Sequence, residues 1–381
     1  MPIFIYIVFV FLFAYAILIN YYLVSWNSIP IFNINPSDPQ NNQTRISIIV
    51  PARNEEKNIS GCLNALLQQS YPPELIEILV VNDHSTDETE TIVRNFNNAR
   101  IQLINLHEHM EGLISSSYKK KAIEIAISRS SGEFIITTDS DCIAPPNWIQ
   151  CMVNLYSRKQ AAFIAAPVKI IEDGSLLSVF QTLDFITLQG ITGASVYKKI
   201  YSMCNGANLG YEKKAFFAVE GFKGIDSIAS GDDMLLMHKI FKKFPSRVFF
   251  LKSADAIVST RPVNSWKSFL QQRIRWASKA DQYDDHRIFG TLMFVYIFNF
   301  LLLAVLLAGF WDVHWFIYFL ILILVKAIAE FPFVYTAAGF FGQEKLMAYF
   351  FFLQPLHILY TVIVGFLGKF VRYEWKNRKL N

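Results

Sequence analysis

The sequence predicts an α/β domain built on a parallel sheet, with membrane-spanning helices flanking it. Of the 381 residues, 53% are hydrophobic and 15% aromatic, a composition too apolar for an ordinary soluble protein. The apolar excess is concentrated at the two ends of the chain. Between them, from about residue 40 to about 288, short apolar runs alternate with amphipathic helical patterns, an order that gives parallel strands joined by right-handed crossovers.

The first membrane span is predicted at residues 3–24, which contain no charged side chain. A run of about 22 residues is long enough to cross a bilayer. No Lys or Arg precedes the run and no small-residue cleavage site follows it, so we expect an uncleaved anchor instead of a signal peptide. Residues 27–43 are rich in Asn and Pro and predict a linker.

The middle segment predicts strands and helices in alternation. Strands are expected at residues 46–51, 75–83, 100–106, 133–138 and 161–168, where apolar residues form short buried runs. Helices are expected at residues 55–69, 85–96, 118–129 and 146–156. The first helix places Ile59, Leu63 and Leu66 on one face. Ser85 and Glu88 have the spacing of a capping box at the start of the second helix.

Three polar clusters, "PARNEE", "NDHSTD" and "TTDSD", follow three of these strands. Parallel sheets bind ligands beyond the carboxyl ends of their strands, so the clusters predict a site there. The sequence has neither G-x-G-x-x-G nor a P-loop, which disfavours dinucleotides and P-loop phosphoryl transfer. The net charge of +4 gives no case for nucleic acid, and the four cysteines have neither metal nor disulfide spacing.

Asp139 and Asp141 lie one residue apart at the end of the fourth predicted strand. Two carboxylates this close repel each other unless a cation lies between them or one of them is protonated. Their oxygens suit a hard divalent cation, Mg²⁺ or Mn²⁺, whose shell a substrate diphosphate can complete. The alternative is an Asx turn with one additional surface charge.

Asp232 and Asp233 directly precede an apolar helical pattern. The helix dipole favours a carboxylate at this position, so capping explains one member of the pair. The other member is then available as a general base. The alternative is that the pair serves only the start of the helix.

Residues 268–287 predict an amphipathic helix near a membrane surface, because apolar positions alternate with Arg and Lys. One interpretation is a contact with anionic lipid. The other is that Arg275 and Trp276 face the site, where the guanidinium binds phosphate and the indole offers a stacking surface.

Together and in this order, the motifs resemble those of the membrane-anchored family-2 glycosyltransferases with a GT-A catalytic domain, such as hyaluronan, chitin and cellulose synthases and ceramide glucosyltransferase. The motifs are "VPARNE", "VVNDHSTDET", the lysine Lys119 before "AIEIA", "DSD", "GANLGYEKKAF", "GDD" and "QRIRW", within residues 46–276. The chain departs from the family pattern at Asn82, where a second Asp is usual, and at Tyr118, where Gly usually precedes the lysine.

The resemblance implies a role for each matching position. A uridine pocket and diphosphate site would be formed by Pro51, Asn54, Glu55, Asp83, Lys119 and Asp139. Asp139 and Asp141 would hold the metal, and Asp233, beside Asp232, would be the catalytic base. The acceptor or diphosphate would contact Gly206 and the Q-x-x-R-W signature residues Gln272, Arg275 and Trp276.

The resemblance further implies an inverting transfer from a UDP-sugar to a membrane-associated acceptor, in cell-envelope glycan or glycolipid synthesis. Mg²⁺ or Mn²⁺ and Lys119 would neutralise the departing diphosphate, and Asp233 would take a proton from the acceptor hydroxyl. Both a processive synthase and an enzyme adding one sugar to a lipid fit. About four spans favour the glycolipid or short-glycan product, unless a homo-oligomer or an export partner supplies a channel. A different class is an inactive, nucleotide-sensing scaffold or transport subunit.

The C-terminal part predicts three further spans at residues 291–310, 315–335 and 346–367. A cytosolic catalytic domain with three full crossings would place the basic tail outside, against the preference of such tails for the cytosol. Pro355 makes the last segment the candidate for a kink or a re-entrant turn. Lys326 and Glu330 predict a pair within the middle span, either functional or bundle-stabilising. His314 and His357 are expected to be interface or packing residues.

The predicted organisation is therefore a multi-pass protein of the cell (inner) membrane with a cytosolic catalytic domain. Its parts are an anchor (1–25), a linker (26–44), a GT-A domain (45–260), an amphipathic segment (261–288), membrane spans (289–370) and a basic tail (371–381). Residues 173–197 predict either an interfacial segment that feeds a lipid-attached acceptor to the site or an ordinary core helix.

Overall fold

A computed structural model of the protein describes residues 3–34, 43–109, 117–200, 203–228, 231–278, 286–370, 373–375 and 378–380. The chain divides into two compact units. A sheet unit comprises Pro30–Ile171, Tyr201–Arg261 and Trp375–Asn381. A helical unit comprises Met1–Ile29, Glu172–Ile200 and Pro262–Glu374.

The strands lie mainly in the sheet unit. They are β1 (Ile46–Ala52), β2 (Ile76–Asn82), β3 (Ile101–Asn105), β4 (Phe134–Thr137), β5 (Phe163–Ala165), β6 (Val168–Ile170), β7 (Leu209–Glu212), β8 (Val248–Phe250) and β9 (Val258–Thr260). A short ribbon of β10 (Tyr373–Trp375) and β11 (Arg378–Leu380) ends the described chain.

The helices belong to both units. The sheet unit holds α2 (Ile59–Leu67), α3 (Thr89–Asn95), α4 (Tyr118–Arg129), α5 (Trp148–Lys159), α7 (Lys213–Ala218) and α8 (Met234–Lys243). The helical unit holds α1 (Ile3–Ser28), α6 (Leu176–Tyr197), α9 (Trp266–Ala277), α10 (His286–Ala308), α11 (His314–Phe341) and α12 (Phe350–Phe370).

Within the described residues, the main sheet has the strand order β3-β2-β1-β4-β7-β5-β8. Strands β1 to β4 pair in parallel, which confirms the predicted parallel sheet. Strand β7 runs antiparallel to both β4 and β5, so the sheet is mixed on that side. Ile48, Val80 and Ile136 are fully buried, as expected of central strands covered on both faces.

The prediction of one strand at residues 161–168 is wrong. The segment forms two strands, and β6 pairs with β9 in a separate sheet. The break falls at Pro167, which has no N–H to donate to a ladder. Its carbonyl instead accepts hydrogen bonds from Val258 N at 3.1 Å and from Asn208 Nδ2 at 2.7 Å.

The predicted capping box is also wrong. Helix α3 begins at Thr89, and its N-cap residue, Glu88, makes no side-chain capping bond. The Ser85 hydroxyl instead accepts a hydrogen bond from the backbone N–H of Asn54 at 3.0 Å. The Ser85 side chain therefore bonds to another loop and not to the end of the helix, where the local pattern had placed it.

The helical unit contains the predicted apolar spans. Among the described residues, four helices are long and apolar enough to cross a membrane, at Ile3–Ser28, Arg287–Ala308, His314–Phe341 and Glu344–Phe370. Helix α12 runs through Pro355 from Phe350 to Phe370 without interruption. Helix α6 is buried over most of its length and contacts α1 and α11, which favours a core helix at residues 173–197.

A buried polar network joins α1, α11 and α12. Lys326 Nζ lies 2.7 Å from Glu330 Oε1 and donates to Gln354 Oε1 at 2.7 Å. Gln354 donates to Glu330 Oε2 at 2.8 Å, and the Tyr15 hydroxyl donates to Glu330 Oε1. The predicted pair of Lys326 and Glu330 exists. Because the network around this pair joins three helices, the bundle-stabilising interpretation is favoured. His357 is half-buried in α12, whereas His314 is exposed beside Asp312.

Candidate active site

The three predicted polar clusters meet at one edge of the main sheet. Ala52 pairs with Asn82 and Ile49 with Thr137, so β1, β2 and β4 are in register near their carboxyl ends. The backbone N–H of Thr138 donates to the Ile49 carbonyl at 3.2 Å, which extends the alignment beyond β4. This is the edge at which parallel sheets bind ligands, as the sequence predicted.

The loops after β1 and β2 are interlocked by polar side chains. Asn54 has a left-handed backbone, with φ 53°, and its Oδ1 accepts a hydrogen bond from Thr86 N at 2.8 Å. Glu55 N donates to Thr89 Oγ1 at 2.7 Å, and the Glu55 carboxylate accepts from Asn58 at 2.8 Å. Pro51 lies half-buried on β1 just before these residues. The two loops therefore form one rigid surface.

Asp83 is 4% exposed and lies beside Arg53 and His84. Its Oδ1 is 2.9 Å from His84 Nδ1 and 3.9 Å from Arg53 Nη1. Arg53 also donates to the Asp83 carbonyl at 2.8 Å. Sequence reasoning missed Arg53 and His84, although both stand inside motifs that it singled out.

Lys119 lies at the centre of a cluster of carboxylates. Its Nζ is 2.8 Å from Asp139 Oδ1 and 3.2 Å from Asp232 Oδ2. Burial by itself would lower the pKa of Lys119, but the charges of Asp139, Asp232 and Asp233 outweigh it and raise the pKa above its ordinary value. The ammonium therefore remains charged and holds side chains from distant parts of the chain together.

Asp233, and not Asp232, caps helix α8. Its Oδ1 accepts from Met234 N at 2.7 Å, and its Oδ2 accepts from Gly206 N at 3.1 Å. The sequence had left the capping member of the pair open and assigned Asp233 as the base. Asp233 thus both caps α8 and is the residue assigned to catalysis, while Asp232 pairs with Lys119.

Gly206 lies against this cluster. A Cβ at this position would meet Lys119 Nζ at 3.3 Å, tighter than most real Cβ contacts, and Asp232 Oδ2 at 3.4 Å. The Gly206 carbonyl accepts a hydrogen bond from Thr137 Oγ1 at 3.3 Å, which ties the segment to the end of β4. The structure thus brings Gly206 together with Lys119, Asp139, Asp232 and Asp233.

Asp139 and Asp141 offer the hard oxygen ligands that Mg²⁺ and Mn²⁺ prefer, so the residues fit a divalent cation in kind. Within the described part of the chain, no group of three His, Cys, Asp or Glu side chains is placed to hold a metal. Substrate phosphate oxygens or water would therefore have to complete the shell.

Two buried thiols support this pair of aspartates. Cys62 Sγ donates to the Asp139 carbonyl at 3.7 Å, and Cys142 Sγ lies 3.5 Å from Asp141 Oδ1. Burial raises the pKa of both thiols, and the charges of Asp141 and Asp139 raise it further. Both cysteines therefore remain protonated donors that organise the loop.

The Q-x-x-R-W residues lie on α9 of the helical unit. Gln272, Arg275 and Trp276 are each half-buried. Helix α9 begins at Trp266, where Ser265 caps it, and ends at Ala277, so it covers the first part of the predicted amphipathic segment. Residues 279–285 lie outside the described residues. The orientation of Arg275 and Trp276 toward the site stays a prediction.

The sequence matches two related family descriptions. The one described as Glycosyl transferase family 2 matches residues 47–217. The one described as Glycosyl transferase family group 2 matches residues 134–366, which is more than half of the chain. The two matches together include every site residue predicted from the sequence.

Two curated relatives and one solved structure illustrate the similarity. The probable glycosyltransferase YdaM of Bacillus subtilis is 27% identical over 63% of this chain and 56% of its own length. The Escherichia coli UDP-Glc:alpha-D-GlcNAc-diphosphoundecaprenol beta-1,3-glucosyltransferase WfgD is 30% identical over 42% of this chain and 56% of its own. The chain thus spans about half the length of these two relatives.

The solved structure is that of a mannosyltransferase from Pyrobaculum calidifontis in complex with GDP-Man and Mn²⁺. It aligns with a TM-score of 0.58 at 16% identity and covers 97% of this chain and 98% of that one. The likeness confirms the predicted GT-A fold with its flanking helices.

Proposed function

Because the chain belongs to glycosyl transferase family 2, whose members act on nucleotide sugars, we propose that it is an inverting transferase acting from a UDP-sugar. The acceptor is a membrane-associated lipid or growing glycan, and the product is a cell-envelope glycolipid or short glycan. The observation that carries the proposal is the cluster in which Lys119 lies within 3.2 Å of Asp139 and Asp232. Gly206 and Asp233 adjoin it.

The donor binds along the interlocked loops after β1 and β2. Pro51, Asn54, Glu55 and Asp83 line the uridine pocket, with Asp83 facing the base. The burial of Asp83 between Arg53 and His84 supports this role, because it leaves the carboxylate fixed in direction. The E. coli relative uses UDP-Glc, as its name states, which supports a uridine nucleotide.

The diphosphate binds between Lys119 and the pair Asp139 and Asp141. These two aspartates would hold Mg²⁺ or Mn²⁺, which would supply positive charge to stabilise the departing diphosphate. Lys119 contributes a second positive charge, already placed 2.8 Å from Asp139. Arg275, with Gln272 and Trp276, completes the diphosphate and acceptor side. Fixed charges aimed at a leaving group usually contribute more to such catalysis than any other effect.

Asp233 accepts the proton of the acceptor hydroxyl while that oxygen attacks the anomeric carbon. The backbone N–H groups of Met234 and Gly206 fix both of its oxygens in direction. A single displacement inverts the anomeric carbon and needs no enzyme nucleophile. Asp232 holds Lys119 beside it.

We infer that the protein is a multi-pass protein of the cell (inner) membrane with its catalytic domain in the cytosol. The four long apolar helices support this placement. The name of the E. coli relative specifies an acceptor on diphosphoundecaprenol, which supports a lipid-linked acceptor. A homo-oligomer or an export partner remains a prediction.

The test is a donor panel with the full chain in lipid nanodiscs. UDP-sugars and GDP-mannose are offered with Mg²⁺ or Mn²⁺ and membrane lipids, and products are identified by mass spectrometry. We expect UDP release and one glycosylated lipid or short glycan. Release from GDP-mannose alone would overturn the uridine assignment. No turnover with any donor would support a nucleotide-sensing scaffold instead.

Asp233→Asn tests the base. We expect the loss of at least about 100-fold in kcat, the lower range for general base catalysis, while UDP still binds. Loss of UDP binding, measured by calorimetry, would show that Asp233 has been misassigned. Asp226→Asn, which neutralises another carboxylate a few positions earlier in the chain, is the matched control.

A further inference from the structure

Arg273 lies on α9 between Gln272 and Trp276, at a position that the Q-x-x-R-W signature leaves open. Its side chain is 3% exposed and pairs with Asp184 of α6, which is 6% exposed. Nε donates to Asp184 Oδ2 at 2.9 Å, and Nη2 lies 2.7 Å from the same oxygen. A buried charge of this kind depends on its partner, because removing one leaves the other uncompensated.

The same guanidinium contacts two of the signature residues. Nη1 donates to Gln272 Oε1 at 2.9 Å. Cζ lies 4.1 Å from the centroid of the Trp276 ring and 4.8 Å from that of Phe269, within cation–π range. A guanidinium is planar and presents its donors in a fixed fork, so these contacts define how both partners are oriented.

Helix α6 forms a second contact to the same ring. Phe185, next to Asp184, lies with its ring centroid 6.3 Å from that of Trp276. Gln272 and Trp276 are four positions apart and therefore share one face of α9. Asp184 thus fixes Arg273, and Arg273 fixes the amide and the indole on either side of it.

We propose that Arg273, held by Asp184, is a positioning residue that sets the orientation of Gln272 and Trp276 for glycosyl transfer. The proposal rests on the proposed function in one respect, the use of the signature residues at the diphosphate or acceptor. Misplacing a group by about 1 Å can cost on the order of 100-fold in rate. Loss of the guanidinium should therefore lower kcat even though Arg273 itself does not contact the substrate.

The kinetic test compares Arg273→Met, Arg273→Lys and Asp184→Asn in nanodiscs. We expect kcat to fall roughly 10- to 100-fold in R273M, with the KM for the UDP-sugar changed by less than about threefold. R273K keeps the charge opposite Asp184 but loses the planar fork, so its kcat should lie between those of R273M and the wild type. In the double variant R273M/D184N, kcat should be no lower than in R273M, because Asp184 acts through Arg273.

Arg247→Met is the matched control. Arg247 also pairs with a carboxylate, Glu212, at 2.8 Å, but it belongs to the sheet unit, whereas the signature belongs to the helical unit. Its kcat should stay within about twofold of the wild type. A fall in thermal stability with unchanged kcat per folded R273M molecule would mean a structural role alone and would overturn the proposal. Multiplicative losses in the double variant would overturn it as well.

A direct measurement of Trp276 does not depend on turnover. The chain has seven tryptophans, and ¹⁹F NMR of the protein labelled with fluorotryptophan can assign Trp276 by the signal lost in Trp276→Phe. We expect R273M and D184N to shift and broaden this signal and R247M to leave it unchanged. An unchanged Trp276 signal in R273M would overturn the positioning role.

The two proposals fail in distinguishable ways. If W276F and Gln272→Ala transfer sugar like the wild type, the proposed use of the signature fails, whatever the NMR signal shows. If W276F is impaired while R273M is fully active, the proposed function stands and the positioning role is wrong.

Discussion

Lys119 supplies positive charge at the centre of the site. It first neutralises the carboxylates and, in the proposed function, then the diphosphate. In the structure its ammonium bridges Asp139 and Asp232, at 2.8 and 3.2 Å. A divalent cation held by Asp139 and Asp141, as proposed, would compete with it for the same carboxylate. An arriving diphosphate offers the ammonium a new partner. Metal and nucleotide should therefore bind more tightly together than separately. The diphosphate draws Lys119 away from Asp139, and the metal replaces Lys119 at Asp139 and frees it for the diphosphate.

Lys119→Met tests this exchange. Without the competing ammonium, Mn²⁺ should bind several-fold more tightly in the absence of nucleotide. UDP with Mn²⁺ should bind about tenfold more weakly, because a hydrogen bond to a charged group contributes about 1.5–3 kcal/mol. Electron paramagnetic resonance of free Mn²⁺ and calorimetry of UDP measure the two effects.

Lys121→Met is the control for that variant. Lys121 lies on the same helix and pairs with Glu124 at 2.8 Å, and its side chain is 38% exposed. It should leave both affinities unchanged. Equal Mn²⁺ affinity in K119M and the wild type would show that Lys119 does not compete for the metal ligands.

Gly206→Ala probes the packing of the cluster. The added methyl group would lie 3.3 Å from Lys119 Nζ and 3.4 Å from Asp232 Oδ2. We expect kcat to fall roughly 10- to 100-fold through displacement of these groups, with little change in melting temperature. Gly61→Ala is the control, because its methyl meets only Ile143 Cδ1 at an ordinary 3.4 Å. Wild-type turnover of G206A would mean that the cluster is not held in this arrangement during catalysis.

At the scale of elements, lysines hold the segment that leads to Asp232 and Asp233. Lys120 of α4 is 2% exposed, and its Nζ donates to the carbonyls of Ile225 and Ile228, each at 2.6 Å. Lys239 of α8 donates to the Gly221 carbonyl at 2.6 Å. A segment of turns that lies outside the helices and strands is thus fixed from two helices.

Lys120→Met should loosen this segment without unfolding the sheet. Each hydrogen bond to a charged group contributes about 1.5–3 kcal/mol, so local opening becomes more frequent when Lys120 is lost. We expect faster amide exchange over residues 222–228 and a lower kcat, measured by exchange mass spectrometry and by UDP release. Lys121→Met should change neither. Unchanged exchange in K120M would show that the contacts do not hold the segment.

At the scale of the whole molecule, the helical unit contains a polar network inside apolar helices. Lys326 is fully buried and Glu330 is 7% exposed, and Gln354 connects them across α11 and α12. In an apolar bundle, complementary polar groups specify which helix faces meet, because any other alignment leaves them unpaired.

Glu330→Leu should lower the stability of the bundle by about 3–5 kcal/mol, because it leaves the Lys326 charge buried and unpaired. The double variant Lys326→Met/Glu330→Leu should recover most of that loss. Thermal unfolding in mild detergent, followed by circular dichroism, measures both. A double variant less stable than E330L would show that Lys326 and Glu330 do not act as a pair.

Local pattern alone determined the strands and helices of the site and the four apolar spans. Hydrophobic period and run length report burial directly, and parallel strands bring their carboxyl ends to one edge. Asp83 and Asp139 could therefore be grouped at one sheet edge, whereas Lys119 and Asp232 joined them only through the resemblance of their motifs to those of family-2 glycosyltransferases. The positions of β5 and β6 could not be predicted in this way, because Pro167 divides a run that is apolar throughout.

Only the tertiary structure decided which side chains from distant parts of the chain pair with each other. It gave the helix cap to Asp233, drew Ser85 to another loop, and paired Arg273 with Asp184, 89 positions earlier in the chain. Such contacts depend on how distant segments pack, whereas the periodicity of a sequence reports only on neighbours within a few positions. Sequence thus determined the elements and the chemistry of the site, and packing determined the partners, because a buried charge pairs with whichever opposite charge the fold brings to it.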